Sequence, residues 1–185
     1  MIEGLANKLA LRIKEADPEG ETSVEVMEYA LGVILNFIFT VLISCLIGWM
    51  TGKLLDTIIV VVGFGALRYF SGGVHMKSLT ACTIVSVAIF SIVPHIVLSS
   101  TLVIIFTSIV IIIMILFSPN TYEETVNRVL TNFTLKAASA LIVLPNLYFQ
   151  SSSIALIFLI QAILILPRKG GGGHEHEENY CEKTV

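Results

Sequence analysis

Charged residues are scarce in this chain, and their scarcity excludes an ordinary soluble domain. Only 14% of the 185 residues are Asp, Glu, Lys or Arg, whereas soluble globular domains carry about 25%. The hydrophobic share is 55%, and the apolar residues come in long blocks, which is the pattern of a chain that crosses a bilayer. The net charge of −3 comes without a basic patch, so no nucleic-acid partner is expected.

Cysteine is also rare. The chain has only Cys45, Cys82 and Cys181, an odd number in three different contexts, which argues against a disulfide framework and leaves a free-thiol role open. The amino terminus lacks the uninterrupted apolar stretch of a cleavable signal peptide, because charges occur throughout the first twenty residues. The first hydrophobic span is therefore expected to remain as a transmembrane helix.

Three regions follow from the distribution of apolar residues. We predict an amphipathic cytoplasmic or interfacial segment over residues 1–28, a transmembrane domain over residues 29–168 and a flexible cytoplasmic tail over residues 169–185. The tail is glycine-rich and then acidic, a composition that cannot build a core. His174 and His176 lie among its glutamates, but a disordered polar tail explains them better than a metal site does, so no metal and no cofactor is predicted.

The amino-terminal segment has apolar residues at helical spacing, namely Ile2, Leu5, Leu9 and Ile13. Pro18 and Gly20 are expected to end this helix. One interpretation is a solvated helix packed on the rest of the protein. The other is a helix that lies in the cytoplasmic interface of a membrane.

The rest of the chain predicts an all-α, polytopic membrane helix bundle with about six transmembrane helices. Its apolar segments cover residues 29–49, 54–70, 79–98, 101–117, 135–148 and 153–166. About 20 residues are needed to cross a bilayer upright, and the last two segments are shorter than that. A bundle of four spans with a re-entrant final pair is therefore the alternative.

The distribution of lysine and arginine predicts the orientation. With six spans and the amino terminus inside, ten of the 11 lysines and arginines fall in the inner segments, and only Lys53 falls in an outer loop. Both termini are then cytoplasmic. So is the connection between the second and third spans.

That connection carries the residues best suited to chemistry. A thiol protease needs a thiolate and a base within hydrogen-bond reach. On one continuous helix His75 and Cys82 would lie about 10.5 Å apart along the axis, too far for proton transfer. The pair therefore requires a helix to begin between them, and Ser78, a good N-cap before the apolar run that opens at Leu79, predicts such a start.

This helix start would place Cys82 near the end of the first turn, where the helix dipole favours a thiolate. Gly72 and Gly73 would let the incoming chain turn sharply and fold His75 back over that turn. The open amides of the turn, with Arg68, would stabilise an oxyanion. Against this stands the fact that a cysteine in an apolar helix is often buried and inert.

Together these residues form the pattern R-x-x-x-G-G-x-H-x-x-x-x-x-x-C. In a small protein of about six spans, this pattern resembles the accessory gene regulator B (AgrB) family of quorum-sensing membrane cysteine endopeptidases. The resemblance implies that the transmembrane domain is catalytic, with Cys82 as the nucleophile and His75 as the general base and later acid. It implies substrate-orienting or structural roles for the residues around them, namely Arg68, Gly72, Gly73, Lys77 and Ser78.

The resemblance also implies a substrate, a small amphipathic, AgrD-like propeptide at the membrane lipid, and a homodimer. The acidic carboxy-terminal part of the propeptide is cut off, and the signal segment is held as a thioester. A cysteine or serine of that segment then closes a thiolactone or lactone ring. The chain departs from the family after the fourth span, where Glu123 and Glu124 stand in place of further positive charge, and this bears on the choice of peptide.

Two other classes of protein were weighed. A small membrane transporter or channel without protease activity would require inverted repeats, broken helices or charged residues along a path, and the sequence offers no clear repeat. A membrane scaffold or an intramembrane metalloprotease is the third class. The metalloprotease would need paired glutamate and histidine motifs within spans, which the sequence lacks.

Overall fold

The computed structural model describes residues 1–73, 78–119 and 132–166, and helices form the fold of this part of the chain. The elements are α1 (Ile2–Ala16), α2 (Val24–Met50), α3 (Leu54–Ser71), α4 (Leu79–Ile92) with a 3-10 turn at Val93–His95, α5 (Ser100–Phe117), α6 (Asn132–Val143), α7 (Asn146–Phe149) and α8 (Ser152–Ile165). The predicted all-α membrane bundle is confirmed. The predicted tail, residues 169–185, lies outside the described residues.

Each predicted apolar segment corresponds to a helix or a pair of helices. The first begins five residues earlier than predicted, because Ser23 caps α2 by accepting a hydrogen bond from the amide of Val26 at 3.4 Å. Two segments are interrupted near prolines. Pro94 lies in the 3-10 turn that follows α4, and Pro145 separates α6 from α7. A proline lacks the amide hydrogen that an uninterrupted α-helix requires.

Among the described residues, three helices are long and apolar enough to cross a membrane, namely α2, α3 and α5. Shorter apolar helices cover Leu79–His95, Phe133–Phe149 and Ser152–Ile165. Large apolar side chains stand exposed on the outside of the bundle, a surface that suits lipid and not water. The chain is therefore a membrane protein, and the number of crossings stays a prediction.

The core of the bundle is built around α8, which is apolar around most of its circumference, as a helix enclosed by others must be. Its buried side chains include Ile157, Phe158 and Ile165, which pack with Leu67 of α3 and Met114 of α5. One of the two shortest predicted apolar segments thus lies at the centre of the bundle. From there it reaches the end of α3, next to the predicted site.

Helices α2 and α3 form a tight hairpin, with a close contact between the end of α2 and the start of α3. A Cβ atom added at Gly48 would lie 2.5 Å from Oγ1 of Thr57 and 2.9 Å from its Cβ, so only glycine fits this contact without a shift of the backbone. Thr57 is itself 1% exposed. At the other end of this antiparallel hairpin, Arg68 of α3 and Asn36 of α2 line the same cavity.

Helix α1 packs on α2 and on the start of α4. The side chains that it buries are Ile2, Ala6 and Ala10, while Leu5 and Ile13 of the predicted apolar stripe are 40% and 46% exposed. The helix therefore packs on the protein, as the first interpretation states. It also presents a second, outward apolar face of the kind that the interfacial interpretation requires.

Candidate active site

The helix is broken between the two residues predicted to react. Helix α3 ends at Ser71, and Gly72 and Gly73 follow with φ angles of +70° and +131°, conformations that residues with a side chain rarely adopt. Helix α4 begins at Leu79, after an extended Ser78 whose hydroxyl accepts a hydrogen bond from the amide of Ala81 at 3.4 Å. The predicted helix start after Ser78 is confirmed, and one continuous helix through this region is excluded.

Cys82 lies in the first turn of α4, half-buried, and its amide donates to the carbonyl oxygen of Ser78 at 3.0 Å. Its side chain lines the same cavity as Arg68 of α3. Two of the predicted site residues, His75 and Lys77, lie outside the described residues. The structure thus brings together Cys82, Arg68 and Ser78 at the ends of two adjacent helices.

Glu3 of α1, which the sequence analysis missed, also belongs to this region. Its carboxylate accepts hydrogen bonds from the Ser78 hydroxyl at 2.9 Å, from the Thr80 amide at 3.1 Å and from the Thr80 hydroxyl at 2.6 Å. These bonds, that of the Thr80 hydroxyl first, hold the pKa of Glu3 well below its usual range. The carboxylate also has the charge that the amino-terminal end of α4 favours.

This contact corrects the expected oxyanion site. The amide of Thr80 is bonded to Glu3, that of Ala81 to the Ser78 hydroxyl, and that of Cys82 to the Ser78 carbonyl. The expectation that these amides stand open was therefore wrong. Arg68 stays the predicted donor to a developing negative charge.

Replacing Glu3 with glutamine is expected to lower the melting temperature at pH 7. Because the pKa of Glu3 is lower in the folded state, its stabilising effect is fully present above the ordinary glutamate pKa of about 4.3. It is lost as pH falls through the folded value. The melting temperatures of wild type and Glu3→Gln should therefore differ by similar amounts at pH 7 and pH 5 and by less at pH 3. Glu15→Gln, an exposed position on the same helix, should change little, and a pH-independent difference for Glu3→Gln would contradict the assignment.

Gln161 of α8 is a second residue that the sequence analysis missed. It is fully buried, and its amide nitrogen donates to the Ser71 hydroxyl at 2.9 Å and to the Gly72 carbonyl at 2.7 Å. Its amide oxygen is buried without a hydrogen-bond partner in the described part of the chain. Through these two hydrogen bonds, Gln161 holds the carboxyl end of α3 in place, a few residues before His75 in the sequence. A single amide in an otherwise apolar run was the signal that could have identified it.

Gln161→Leu is expected to lower thermal stability and to change the rate at which a maleimide labels Cys82. The change removes the donor from two acceptors, Ser71 and Gly72, and leaving a buried polar group unpaired costs about 1–3 kcal/mol. Ser71→Ala is the graded comparison, because it removes one acceptor and keeps the bond to Gly72. The melting temperature should fall further, and the labelling rate should change more, in Gln161→Leu than in Ser71→Ala. Equal values for the two variants would contradict a fastening role.

An apolar cavity of about 270 Å³ lies between α2, α3, α4 and α8, and Cys82 and Arg68 line it. The Arg68 guanidinium carbon lies 5.8 Å from the centre of the Phe64 ring, a cation–π distance. Asn36 of α2 accepts a hydrogen bond from the Thr83 hydroxyl at 2.5 Å. The cysteine thus stands between a polar helix end and an apolar cavity.

Metal chemistry finds no support in the described ranges, which hold no group of three or more His, Cys, Asp or Glu side chains able to bind an ion. The free thiols of this part of the chain are Cys45 and Cys82. Cys45 lies in the carboxyl-terminal third of α2 and does not line the cavity that Cys82 shares with Arg68. The arrangement therefore suits thiol chemistry at Cys82.

Comparison with known proteins gives one family. A family model described as accessory gene regulator B matches residues 2–165. The chain is also 32% identical over 87 residues to a protein of Halalkalibacterium halodurans that is named as AgrB-like. That alignment covers 47% of this chain and 44% of the relative, so the matched segment spans less than half of the relative's length. No solved structure matches the chain at a significant level.

Proposed function

We propose that this chain, which belongs to the accessory gene regulator B family, is a membrane cysteine endopeptidase. It cuts a signalling propeptide and closes the product into a ring. Membership of this family indicates a membrane protein that is related to quorum sensing and, in general terms, acts on a propeptide. The observation that carries the finer proposal is the break between Gly72 and Leu79, which places Cys82 in the first turn of a new helix.

In the proposed first step, His75 takes the proton from the Cys82 sulfur, and the thiolate attacks the scissile carbonyl carbon. The peptide C–N bond breaks, the leaving nitrogen takes the proton back from His75, and the acidic carboxy-terminal fragment departs. The signal segment stays on Cys82 as a thioester. Arg68 is the proposed donor to the negative charge that develops on the carbonyl oxygen.

In the proposed second step, a thiol or hydroxyl of the bound segment attacks the thioester carbonyl. The attacking group gives its proton to His75, the thiolactone or lactone bond forms, the bond to the Cys82 sulfur breaks, and the sulfur takes that proton from His75. Water competes for the same carbonyl. The intramolecular attacker has the advantage of proximity, and the apolar cavity beside Cys82 limits the access of water.

Covalent geometry supports the pairing of His75 with Cys82. His75 follows Gly73 by two residues and precedes Ser78 by three. An extended chain spans at most about 3.6 Å per residue, so the Cα of His75 stays within about 7 Å of that of Gly73 and about 11 Å of that of Ser78. Both neighbours lie at the ends of the two helices whose Arg68 and Cys82 line one cavity.

The proposed orientation puts this junction, and both termini, on the cytoplasmic side. Ten of the 11 lysines and arginines fall on that side in the six-span arrangement, and such a bias sets orientation in membrane proteins. A substrate made in the cytoplasm would then meet the enzyme from the same side.

The proposal is tested by expressing the full chain in membranes together with a tagged short peptide encoded beside its gene, with a central cysteine and an acidic tail. Mass spectrometry should detect a released acidic fragment and a product lighter than its linear form by one water, which marks ring closure. The same peptide in membranes without the chain should stay intact. An uncut peptide beside folded, membrane-inserted protein would contradict the proposal and favour a transporter or channel.

A further inference from the structure

We propose that the cavity beside Cys82 binds the side chain of the substrate residue whose carbonyl Cys82 attacks, and that this residue is large and apolar. The inference rests on the proposed function and adds the substrate class at the cleaved bond. The side chain of that residue starts one bond from the carbonyl carbon. The protein groups next to the Cys82 sulfur therefore select the side chain of that substrate residue.

The cavity begins at Cys82 and runs along one face of α4. Its lining on this helix is Cys82, Val85, Ser86, Ile89 and Phe90. Spacings of three, four, seven and eight residues keep these side chains on one helix face. Eight residues rise about 12 Å, so the cavity extends by roughly that length from the cysteine into the bundle.

The far part of the cavity is mostly apolar, and the buried hydroxyl of Thr40 is the polar group that lines it there. Val41 of α2, Val61 of α3 and Ile160 of α8 form its walls there, with Phe90. Arg68 lies near the carboxyl end of α3, at the end of the cavity that Cys82 marks. A substrate carboxylate could pair with Arg68 only at the end of the cavity next to Cys82. Deeper in the cavity it would lose its water and find no charged partner.

The size of the cavity sets the size of the side chain. Its volume is about 270 Å³, whereas a dry apolar cavity of about 150 Å³ is enough to hold benzene. An aromatic or a branched aliphatic side chain fits with room to spare. An alanine would leave most of the space empty and gain little from it.

The cavity opens towards the outside of the bundle. Val33 and Val85, which line it, are 38% and 43% exposed, and Phe37 is 64% exposed. Gly65 of α3 is exposed as well. An amphipathic peptide that lies at the membrane surface can thus insert an apolar side chain from the lipid side.

Gly65 offers a way to fill the cavity without strain. It lines the cavity, and a Cβ atom added there meets nothing within 4 Å. Gly65→Leu should therefore fold normally and occupy the space, and Gly65→Ala should occupy less of it. Ala88 is the matched control position, because it is exposed on α4 and lines no part of this cavity.

The test uses three reactive probes, the N-acetyl chloromethyl ketones of phenylalanine, alanine and aspartate. In each, the Cys82 sulfur displaces chloride and forms a thioether, while the side chain occupies the position of the cleaved residue. The full chain carries Cys45→Ser and Cys181→Ser so that Cys82 alone reacts. The phenylalanine probe should label at least about tenfold faster than the other two, which is the discrimination that a few methylene groups give.

Gly65→Leu should remove most of this preference by slowing the phenylalanine probe alone, Gly65→Ala should remove part of it, and Ala88→Leu should keep it. Equal rates for phenylalanine and alanine, faster labelling by aspartate, or an unchanged preference in Gly65→Leu would overturn the pocket and leave the proposed function standing. Labelling of Cys82 that is slow with every probe and unchanged in His75→Ala would contradict the proposed function itself.

Discussion

Cys82→Ala is expected to abolish cleavage of the propeptide, with a loss of about 10⁴-fold or more. Without the sulfur no acyl-enzyme can form, and losing the nucleophile of a covalent protease leaves only binding and electrostatic contributions. The structure gives this thiol a distinct setting, at the first turn of α4 and at the wall of an apolar cavity. The measurement is the amount of acidic fragment released per amount of membrane-inserted protein.

Cys45→Ala is the matched control for this loss. Cys45 is likewise half-buried and free, but it lies in the carboxyl-terminal third of α2 and outside the cavity beside Cys82, so its removal should leave cleavage within about twofold of the wild type. Cleavage that survives in Cys82→Ala would refute the assignment of the nucleophile. A loss in both variants would indicate a structural defect, which the melting temperatures would reveal.

His75→Ala is expected to lower cleavage by about 10²–10⁴-fold, the usual contribution of a positioned acid–base group. The same change should slow alkylation of Cys82 by a small maleimide at neutral pH, because the thiolate loses its base. The two readouts should fall together, since both depend on the reactivity of one sulfur atom.

His95→Ala is the comparison for this second loss. His95 is exposed and lies in the 3-10 turn beyond the far end of α4, so both readouts should stay near the wild-type values. A His75→Ala protein with normal maleimide labelling would show that the imidazole does not act on the thiol. In that case a different base would have to be found.

Local signals in the sequence predicted much of the fold. Runs of apolar residues mark the helices, and their bounds agree with the structure to within a few residues except at the start of α2. Ser78 predicted the start of α4 because a hydroxyl just before an apolar run can satisfy an unpaired amide. Gly72 and Gly73 marked the end of α3 because their positive φ angles suit residues without a side chain.

Contacts between distant parts of the chain could not be predicted in this way. Glu3 meets Thr80 across 77 residues, and Gln161 meets Gly72 across 89. Each residue is polar and each was visible in the sequence, but only the packing of α1 on α4 and of α8 on α3 gives it its partner. The same limit explains why the sequence did not identify the buried face of α1. That face consists of Ile2 and two alanines and not of the larger apolar residues.

The most direct test of the account is to trap the thioester on Cys82. The wild-type chain would be incubated in membranes with a propeptide whose central cysteine is replaced by alanine, so that ring closure is blocked. Intact-mass and peptide analysis should then find the signal segment attached to the α4 peptide that contains Cys82, and hydroxylamine should remove it. Release of the acidic fragment with no adduct on Cys82 at any time would contradict covalent catalysis by this residue.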